Sequence, residues 1–164
     1  MACDGGNRAT GTDKSTAVRS RNMDHYRKLE RMYHGSPCNG DLDIELSIVD
    51  AGEAELRLSV GEGDHHAAGG VHGSRYFKAL DDATFFAANS LVEDVFVLTT
   101  DFHLQLTRPV SEGELRAEAT VVNDHPQQLI ADGTLFDDDG NQLARGTGTF
   151  SRSGVELTAE MGYK

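Results

Sequence analysis

Residues 61–92 read GEGDHHAAGGVHGSRYFKALDDATFFAANSLV, a glycine- and histidine-rich loop followed by the longest predicted helix of the chain. Apolar side chains occupy most faces of this helix, at Tyr76, Phe77, Leu80, Ala83, Phe86, Ala87 and Leu91. A helix with so few polar faces is buried rather than laid on a surface. The stretch therefore predicts a central helix with the rest of the chain wrapped around it.

On both sides of this helix apolar residues alternate with polar ones, as in strands that have one wet face. Two strands are predicted before the helix, at 44–48 and 53–60. Four are predicted after it, at about 95–108, 114–123, 128–137 and 142–151. We therefore predict an α+β fold, with an antiparallel β-sheet wrapped around one long central helix.

Two details of the predicted sheet concern its faces. Ala144, Gly146 and Gly148 fall on one face of the last strand, where small side chains would let a helix lie close. Alternation along the first strand after the helix places Thr99 on the same face as Val97, Asp101 and His103.

The segments that flank the central domain, which we assign to residues 41–153, differ in composition. Residues 1–20 are rich in Gly, Ser, Thr and charge and predict a disordered tail. Residues 21–40 contain an extra N-terminal helix and a linker, because apolar residues recur at helical spacing until glycine and proline stop the pattern. Residues 154–164 are expected to form a C-terminal tail.

Charge and composition exclude several classes of function. The formal net charge is −12, and an acidic surface repels nucleic acid phosphates. No apolar run approaches the roughly 18 residues of a membrane span. Cys3 lies in the predicted tail, so a disulfide with Cys38 is not expected, and a reducing cytoplasm is the simplest location. Because the sheet would leave an edge strand uncovered, we expect at least a homodimer, with a dimer of dimers as a further expectation.

The layout, together with VHGSRYFKALDD at residues 71–82, resembles the hotdog-fold acyl-CoA thioesterases of the phenylacetate-pathway (PaaI-like) type. In that family a His-Gly-Gly run opens the central helix, and an acidic residue follows nine positions after the His. Here His72 and Gly73 open the helix, and Asp81 lies nine positions after His72. The family often has Asn six positions before that His and Gly three before it, where this chain has His66 and Gly69.

The resemblance covers roughly residues 42–152. The segment TTDFHLQLTRPVSEGELRAEATVV, residues 99–122, and ARGTGTF, residues 144–150, look like later strands of the family. Two departures stand in the loop: Ser74 replaces the second Gly of the run, and His66 replaces the Asn.

The resemblance implies hydrolysis of an acyl-CoA thioester without a cofactor, with Asp81 as general base or as nucleophile and the Gly73 N–H as oxyanion donor. The residues themselves suit these roles. A helix start offers unpaired backbone N–H groups and partial positive charge. Desolvation in an apolar helix raises the pKa of a carboxyl group and fits it to act as a base. The structural alternative is that Asp81 simply faces a solvent gap or pairs with Lys78.

Further residues have two readings each. His66 could hold water or the thioester carbonyl, or it is a loop residue. His72 is either catalytic or a helix cap, and Thr99 either positions water, reaching a partner's site in some relatives, or simply suits a strand. The candidates for substrate binding are Gly69, Ser74, Phe77, Phe85 and Arg108.

Two other functions remain open. One is a hydratase or dehydratase of acyl thioesters, although the loop lacks the Pro-rich or Asp–His patterns of that class. The other is a non-enzymatic domain that binds acyl-CoA or a small aromatic acid. A metal site is not expected, because His65 and His66 are adjacent and hard to aim at one ion.

Overall fold

The computed structural model describes residues 22–164, so the tail expected at residues 1–20 lies outside the described residues. The described chain contains two α-helices, α1 and α2, and six strands, β1 to β6. Their bounds are α1 Met23–His34, β1 Ile44–Asp50, β2 Glu53–Val60, α2 Gly73–Asn89, β3 Val95–Leu106, β4 Gly113–His125, β5 Gln128–Phe136 and β6 Gln142–Glu156. All six predicted strands and both predicted helices are present.

The six strands form one antiparallel sheet in the order β1-β2-β4-β5-β6-β3. α2 packs on one face of this sheet and is buried along most of its length. It packs tightly over β5, where a Cβ added to Gly133 would lie 2.9 Å from Leu80 and 3.0 Å from Thr84. The predicted α+β architecture is confirmed.

The small residues of β6 have a different purpose from the one predicted. A Cβ at Gly146 would lie 2.5 Å from the Phe102 ring, and one at Gly148 would lie 2.5 Å from the Phe150 ring. These glycines therefore make room for aromatic rings, and the expectation that they admit the helix is wrong. Gly133 is the glycine that admits the helix.

Strand β3 contains a bulge that alternation alone does not reveal. Thr99 pairs with Phe150, whereas Asp101 pairs with Thr149, so the ladder gains one residue at Thr100. A bulge of this kind shifts the phase of the side chains. All three residues are exposed, but Asp101 and His103 lie beyond the bulge in the other phase, whereas the Thr99 hydroxyl reaches Asp81 of α2. The predicted grouping of Thr99 with those two residues is therefore wrong.

The two edges of the sheet are treated differently. Along β1, the edge N–H groups of Leu46 and Ile48 donate to His34 Nε2 at 3.1 Å and to Glu30 Oε1 at 2.7 Å, both on α1. Unpaired strand edges invite association, and these two side chains occupy two of the N–H donors along the β1 edge. The other edge is β3, and within residues 22–164 no strand pairs with its outer side.

The C-terminal residues extend the last strand and then contact α1. β6 continues to Glu156, and the segment from Leu157 to Lys164, which we name the closing segment, packs against α1. In the part of the chain that the structure describes, no helix has the length and apolar character needed to cross a membrane.

Candidate active site

Asp81 lies on α2 and is half-buried, facing β3. The Thr99 hydroxyl donates to Asp81 Oδ1 at 3.0 Å. Burial raises the pKa of Asp81 above the ordinary value of 3.8, the bond from Thr99 opposes this rise, and the neighbouring Asp82 carboxylate adds to it. A carboxylate held this way is a stronger proton acceptor than an exposed aspartate.

Asp82 is engaged in structural contacts. Its Oδ2 accepts from Lys78 Nζ at 2.7 Å and from the Tyr33 hydroxyl at 2.6 Å. Burial and the Asp82 charge raise the pKa of Tyr33, so its hydroxyl stays protonated and donates. Lys78 thus pairs with Asp82 at i+4, and the alternative in which Lys78 neutralises Asp81 by a direct bond is not what the structure contains.

A cavity of about 380 Å³ opens beside Asp81. Aromatic and aliphatic side chains supply most of its wall, and Lys78, Asp82 and the hydroxyl of Thr99 supply polar groups. The apolar wall residues are Met32, Tyr33, Phe85, Phe86, Phe96, Leu98 and Met161. Its size and lining are suited to an acyl group held next to a carboxylate.

The start of α2 is built by a short polar cap. His72 is the N-cap residue, and its Nδ1 accepts the Ser74 N–H at 3.1 Å. The His72 ring therefore satisfies one of the free N–H groups of the helix, which supports its reading as a cap. Gly73 is the first helical residue, and its N–H has no partner within the helix.

A second cavity, of about 370 Å³, lies at this helix start. Gly73, His66, Arg108 and the last residues of β3 line it. The backbone of His66 forms a turn with Gly70, and its Nδ1 accepts the Ala68 N–H at 3.1 Å, so Nε2 carries the ring proton. This histidine therefore presents a donor at the wall that Gly73 also lines.

Tyr76 fastens the rim of this second cavity. Its buried hydroxyl donates to the Arg108 carbonyl at 3.3 Å and accepts the Val110 N–H at 3.0 Å. Sequence patterns identify Tyr76 only as an apolar helix residue. Its bonds to the loop depend on a fold that brings the end of β3 beside α2.

The structure separates the predicted catalytic residues into two groups. Asp81 and Thr99 line the first cavity, whereas Gly73 and His66 line the second. Eight residues separate Gly73 from Asp81, which is about 12 Å along a helix axis. One carbonyl group cannot touch both within a single chain.

The remaining predicted residues are distributed as follows. Phe85 lines the first cavity, and Arg108 lines the second. Phe77 is 41% exposed and packs edge-on against Phe102, outside both cavities. Gly69 has a φ of +82°, which favours glycine in the turn before α2.

Sequence reasoning missed the part of the first cavity that comes from outside the central domain. Met32 and Tyr33 come from α1, and Met161 comes from the closing segment. The helical spacing in α1 indicates an apolar face, but it does not indicate what that face covers.

Two arginines that a phosphate group could otherwise bind are already paired with carboxylates. Arg75 Nε lies 2.6 Å from Asp64 Oδ1, and Arg152 forms an ion pair with Asp94. Arg108 lines the cavity at the helix start and is the candidate best placed for a polar substrate tail.

An antiparallel sheet wrapped around one central helix is the hotdog fold, and this chain adds an N-terminal helix to it. Residues 68–144 match the family model of the thioesterase superfamily. The chain is similar over 109 residues, at 24% identity, to the esterase-like protein SSO1253 of Saccharolobus solfataricus, covering 66% of this chain and 73% of that protein.

Solved structures agree with this assignment of fold. The PaaI protein of E. coli, from the phenylacetic acid degradation operon, is 22% identical with a TM-score of 0.76, covering 85% of this chain and 100% of that one. The phenylacetic acid degradation-related protein of Ralstonia eutropha JMP134 is 25% identical with a TM-score of 0.69, covering 77% and 98%. The resemblance drawn from the sequence is confirmed by the family model and by the fold of these structures.

Proposed function

We propose that the protein hydrolyses an acyl-CoA thioester to the free acid and CoA, with Asp81 as the catalytic carboxylate. The observation that carries this proposal is the half-buried Asp81, whose pKa is raised, in the wall of an apolar cavity of about 380 Å³. A base next to an apolar acyl site is what thioester hydrolysis requires.

In the reaction, the acyl group occupies the first cavity and its carbonyl carbon lies near Asp81. A water molecule adds to that carbon while Asp81 takes a proton from the water, and the carbonyl oxygen becomes an oxyanion. A backbone N–H at a helix start stabilises such a charge. When the C–S bond breaks, the proton passes from Asp81 to the departing thiolate, and the free acid remains.

Direct attack by Asp81 would instead give an acyl–aspartate anhydride, which water then cleaves. A single turnover in heavy-oxygen water reveals the anhydride route when water cleaves the anhydride at the aspartyl carbon. Attack by water on the substrate labels the product acid. Cleavage of the anhydride at the aspartyl carbon labels Asp81 and leaves the first product unlabelled.

The oxyanion donor must come from a second chain, because Gly73 and Asp81 of one helix are about 12 Å apart. Strand β3 passes both cavities, with Thr99 at one and Leu106 at the other. Leu98 and Leu106 are 50% and 54% exposed on this edge strand. Antiparallel pairing of two β3 strands about a two-fold axis would cover them and bring Gly73 of the partner subunit beside Asp81.

The first test is turnover. The purified protein is assayed with short, medium and aromatic acyl-CoAs by following the release of free thiol, and we expect hydrolysis of at least one class. If nothing is hydrolysed while a CoA ester raises the melting temperature, the hydrolase assignment fails and a binding role replaces it.

The oxyanion donor can be tested without disturbing the helix. Proline is tolerated at the first helical position, and His72 has the extended backbone that precedes proline comfortably, with φ −65° and ψ 141°. Gly73→Pro removes the N–H and adds a side-chain ring, and the matched control Gly73→Ala also adds a Cβ near Leu106 but keeps the N–H. We expect Gly73→Pro to lose ~100-fold or more in kcat while Gly73→Ala loses far less.

Mixing two inactive variants tests whether the site is shared. Asp81→Asn and Gly73→Pro chains, unfolded together and refolded, should regain activity, because each mixed dimer has one site with both groups intact. Random pairing predicts about a quarter of native activity. No recovery, in mixtures shown to contain mixed dimers, would place both groups in one chain and contradict the shared site.

A further inference from the structure

The cavity beside Asp81 is closed by residues from outside the sheet and its central helix. α1 supplies Met32, which is 4% exposed, and the closing segment supplies Met161, which is 36% exposed. The thioether side chain of methionine is flexible and fills irregular apolar gaps. These two methionines form an adaptable part of a wall whose other apolar members are Tyr33, Phe85, Phe86, Phe96 and Leu98.

The backbone of the closing segment is fitted to α1. Gly162 has a φ of +92°, and a Cβ on it would lie 3.3 Å from Met32 Cα. The Met161 N–H donates to the Thr158 carbonyl at 3.1 Å, and the Tyr163 N–H donates to the same carbonyl at 3.2 Å. This tight turn holds Met161 next to α1 and so at the cavity.

A buried histidine anchors the same segment. His25 is 1% exposed, and its Nε2 lies 3.0 Å from the Asn89 carbonyl at the end of α2. A carbonyl only accepts, so Nε2 donates and Nδ1 accepts the Tyr163 hydroxyl at 2.7 Å. The position of Met161 is thus tied to both helices through Tyr163.

We propose that Met161, backed by Met32 and held by the Tyr163–His25 contact, sets the length of the acyl group that the cavity accepts. This inference rests on the proposed function, because it assumes that the acyl group enters the cavity at Asp81. Met161 selects among acyl groups and takes no part in the chemistry.

The test uses binding rather than turnover. A homologous series of S-alkyl-CoA thioethers, which have no cleavable thioester, is titrated by calorimetry into the native protein, Met161→Ala and Met161→Phe. Val155→Ala is the control, since Val155 is also an exposed apolar residue but lies outside the cavity wall. Each methylene that finds apolar cover should tighten binding ~4-fold, up to the length that the wall allows.

We expect the chain length of tightest binding to increase in Met161→Ala, to decrease in Met161→Phe, and to stay unchanged in Val155→Ala. Tyr163→Phe releases the segment without altering the cavity wall and should broaden the length dependence. An unchanged length dependence in both Met161 variants, or the same loss at every length, would overturn the proposal.

Failure here and failure of the proposed function give different results. If substitution of Met161 changes the longest thioether chain that binds, but acyl-CoAs are not hydrolysed, the hydrolase proposal fails and the proposed role of Met161 is retained. If acyl-CoAs are hydrolysed and the Met161 variants have the same length limit as the native protein, the proposed role of Met161 fails and the hydrolase proposal is retained. If no thioether binds, the proposed role of Met161 is rejected, whether or not acyl-CoAs are hydrolysed.

Discussion

Asp81→Asn and Asp82→Asn make the same chemical change at adjacent positions, and we expect opposite outcomes. Asp81 lies at the cavity with a raised pKa, whereas Asp82 accepts bonds from Lys78 and Tyr33. Asp81→Asn removes the base and should lower kcat by ~100-fold or more. Asp82→Asn keeps that base and should retain most of the turnover.

For folding stability the order of the two variants is reversed: Asp81→Asn should gain stability, and Asp82→Asn should lose it. The folded state raises the pKa of Asp81, so at neutral pH its charge costs stability, and the cost disappears as the pH falls below the ordinary value of 3.8. Asp81→Asn should therefore raise the melting temperature at neutral pH, and the gain should vanish in acid. Asp82→Asn removes the partner charge of the partly buried Lys78 and should cost about 1–2 kcal/mol of unfolding free energy.

The assays are thiol release under saturating acyl-CoA and thermal unfolding across a range of pH. Asp82→Asn carries a further signature, since the Asp82 carboxylate helps to raise the pKa of Asp81. Its removal should move the acidic limb of kcat/KM to lower pH. An Asp81→Asn protein that is fully active, or one that is less stable than native at neutral pH, would refute the assignment of Asp81 as the desolvated base.

Three other contacts can be tested by single substitutions. Thr99→Val removes the bond that opposes the rise in the pKa of Asp81, so the acidic limb of the pH–rate profile should move to higher pH, and a profile that does not move would contradict the contact. Gly133→Ala places a methyl group against α2 and should cost about 1–3 kcal/mol in denaturant unfolding, whereas no loss would mean that the helix can shift. Tyr163→Phe leaves Nδ1 of the buried His25 without a donor, while Nε2 keeps its bond to the Asn89 carbonyl, and should cost about 1–3 kcal/mol, measured in the same way. Because burial lowers the pKa of His25, the native protein should lose stability as the pH falls below 6.5, a slope that His25→Gln should reduce.

The fold could be predicted because its signals are local. The buried helix is marked by apolar residues on nearly all of its faces, and the strands by alternation, and both depend only on neighbours in sequence. The loop and helix from His72 to Asp81 also carry the family resemblance, so the candidate carboxylate and helix start were identified with their spacing.

What the sequence did not reveal depends on contacts between distant segments. The bulge at Thr100 is defined by its pairing with β6, so counting by twos placed Asp101 and His103 on the wrong face. Gly146 and Gly148 are small because of the Phe102 and Phe150 rings, which no periodicity brings together. The closing segment reads as a polar tail, and only its docking on α1 gives Met161 a place in the cavity wall.

The way that α1 covers β1 also limits how many copies can join. A sheet with two open edges can add chains at both ends without limit, which is the start of a fibre. His34 and Glu30 occupy two N–H donors of the β1 edge, so within residues 22–164 the β3 edge is the one open to pairing with a strand of another chain. When two chains pair through their β3 edges, neither has a second open edge to offer. α1 is in this sense a terminator of polymer growth. Replacing Glu30 and His34 by alanine should show its effect as slow, concentration-dependent aggregation of a protein whose cavity wall is otherwise unchanged.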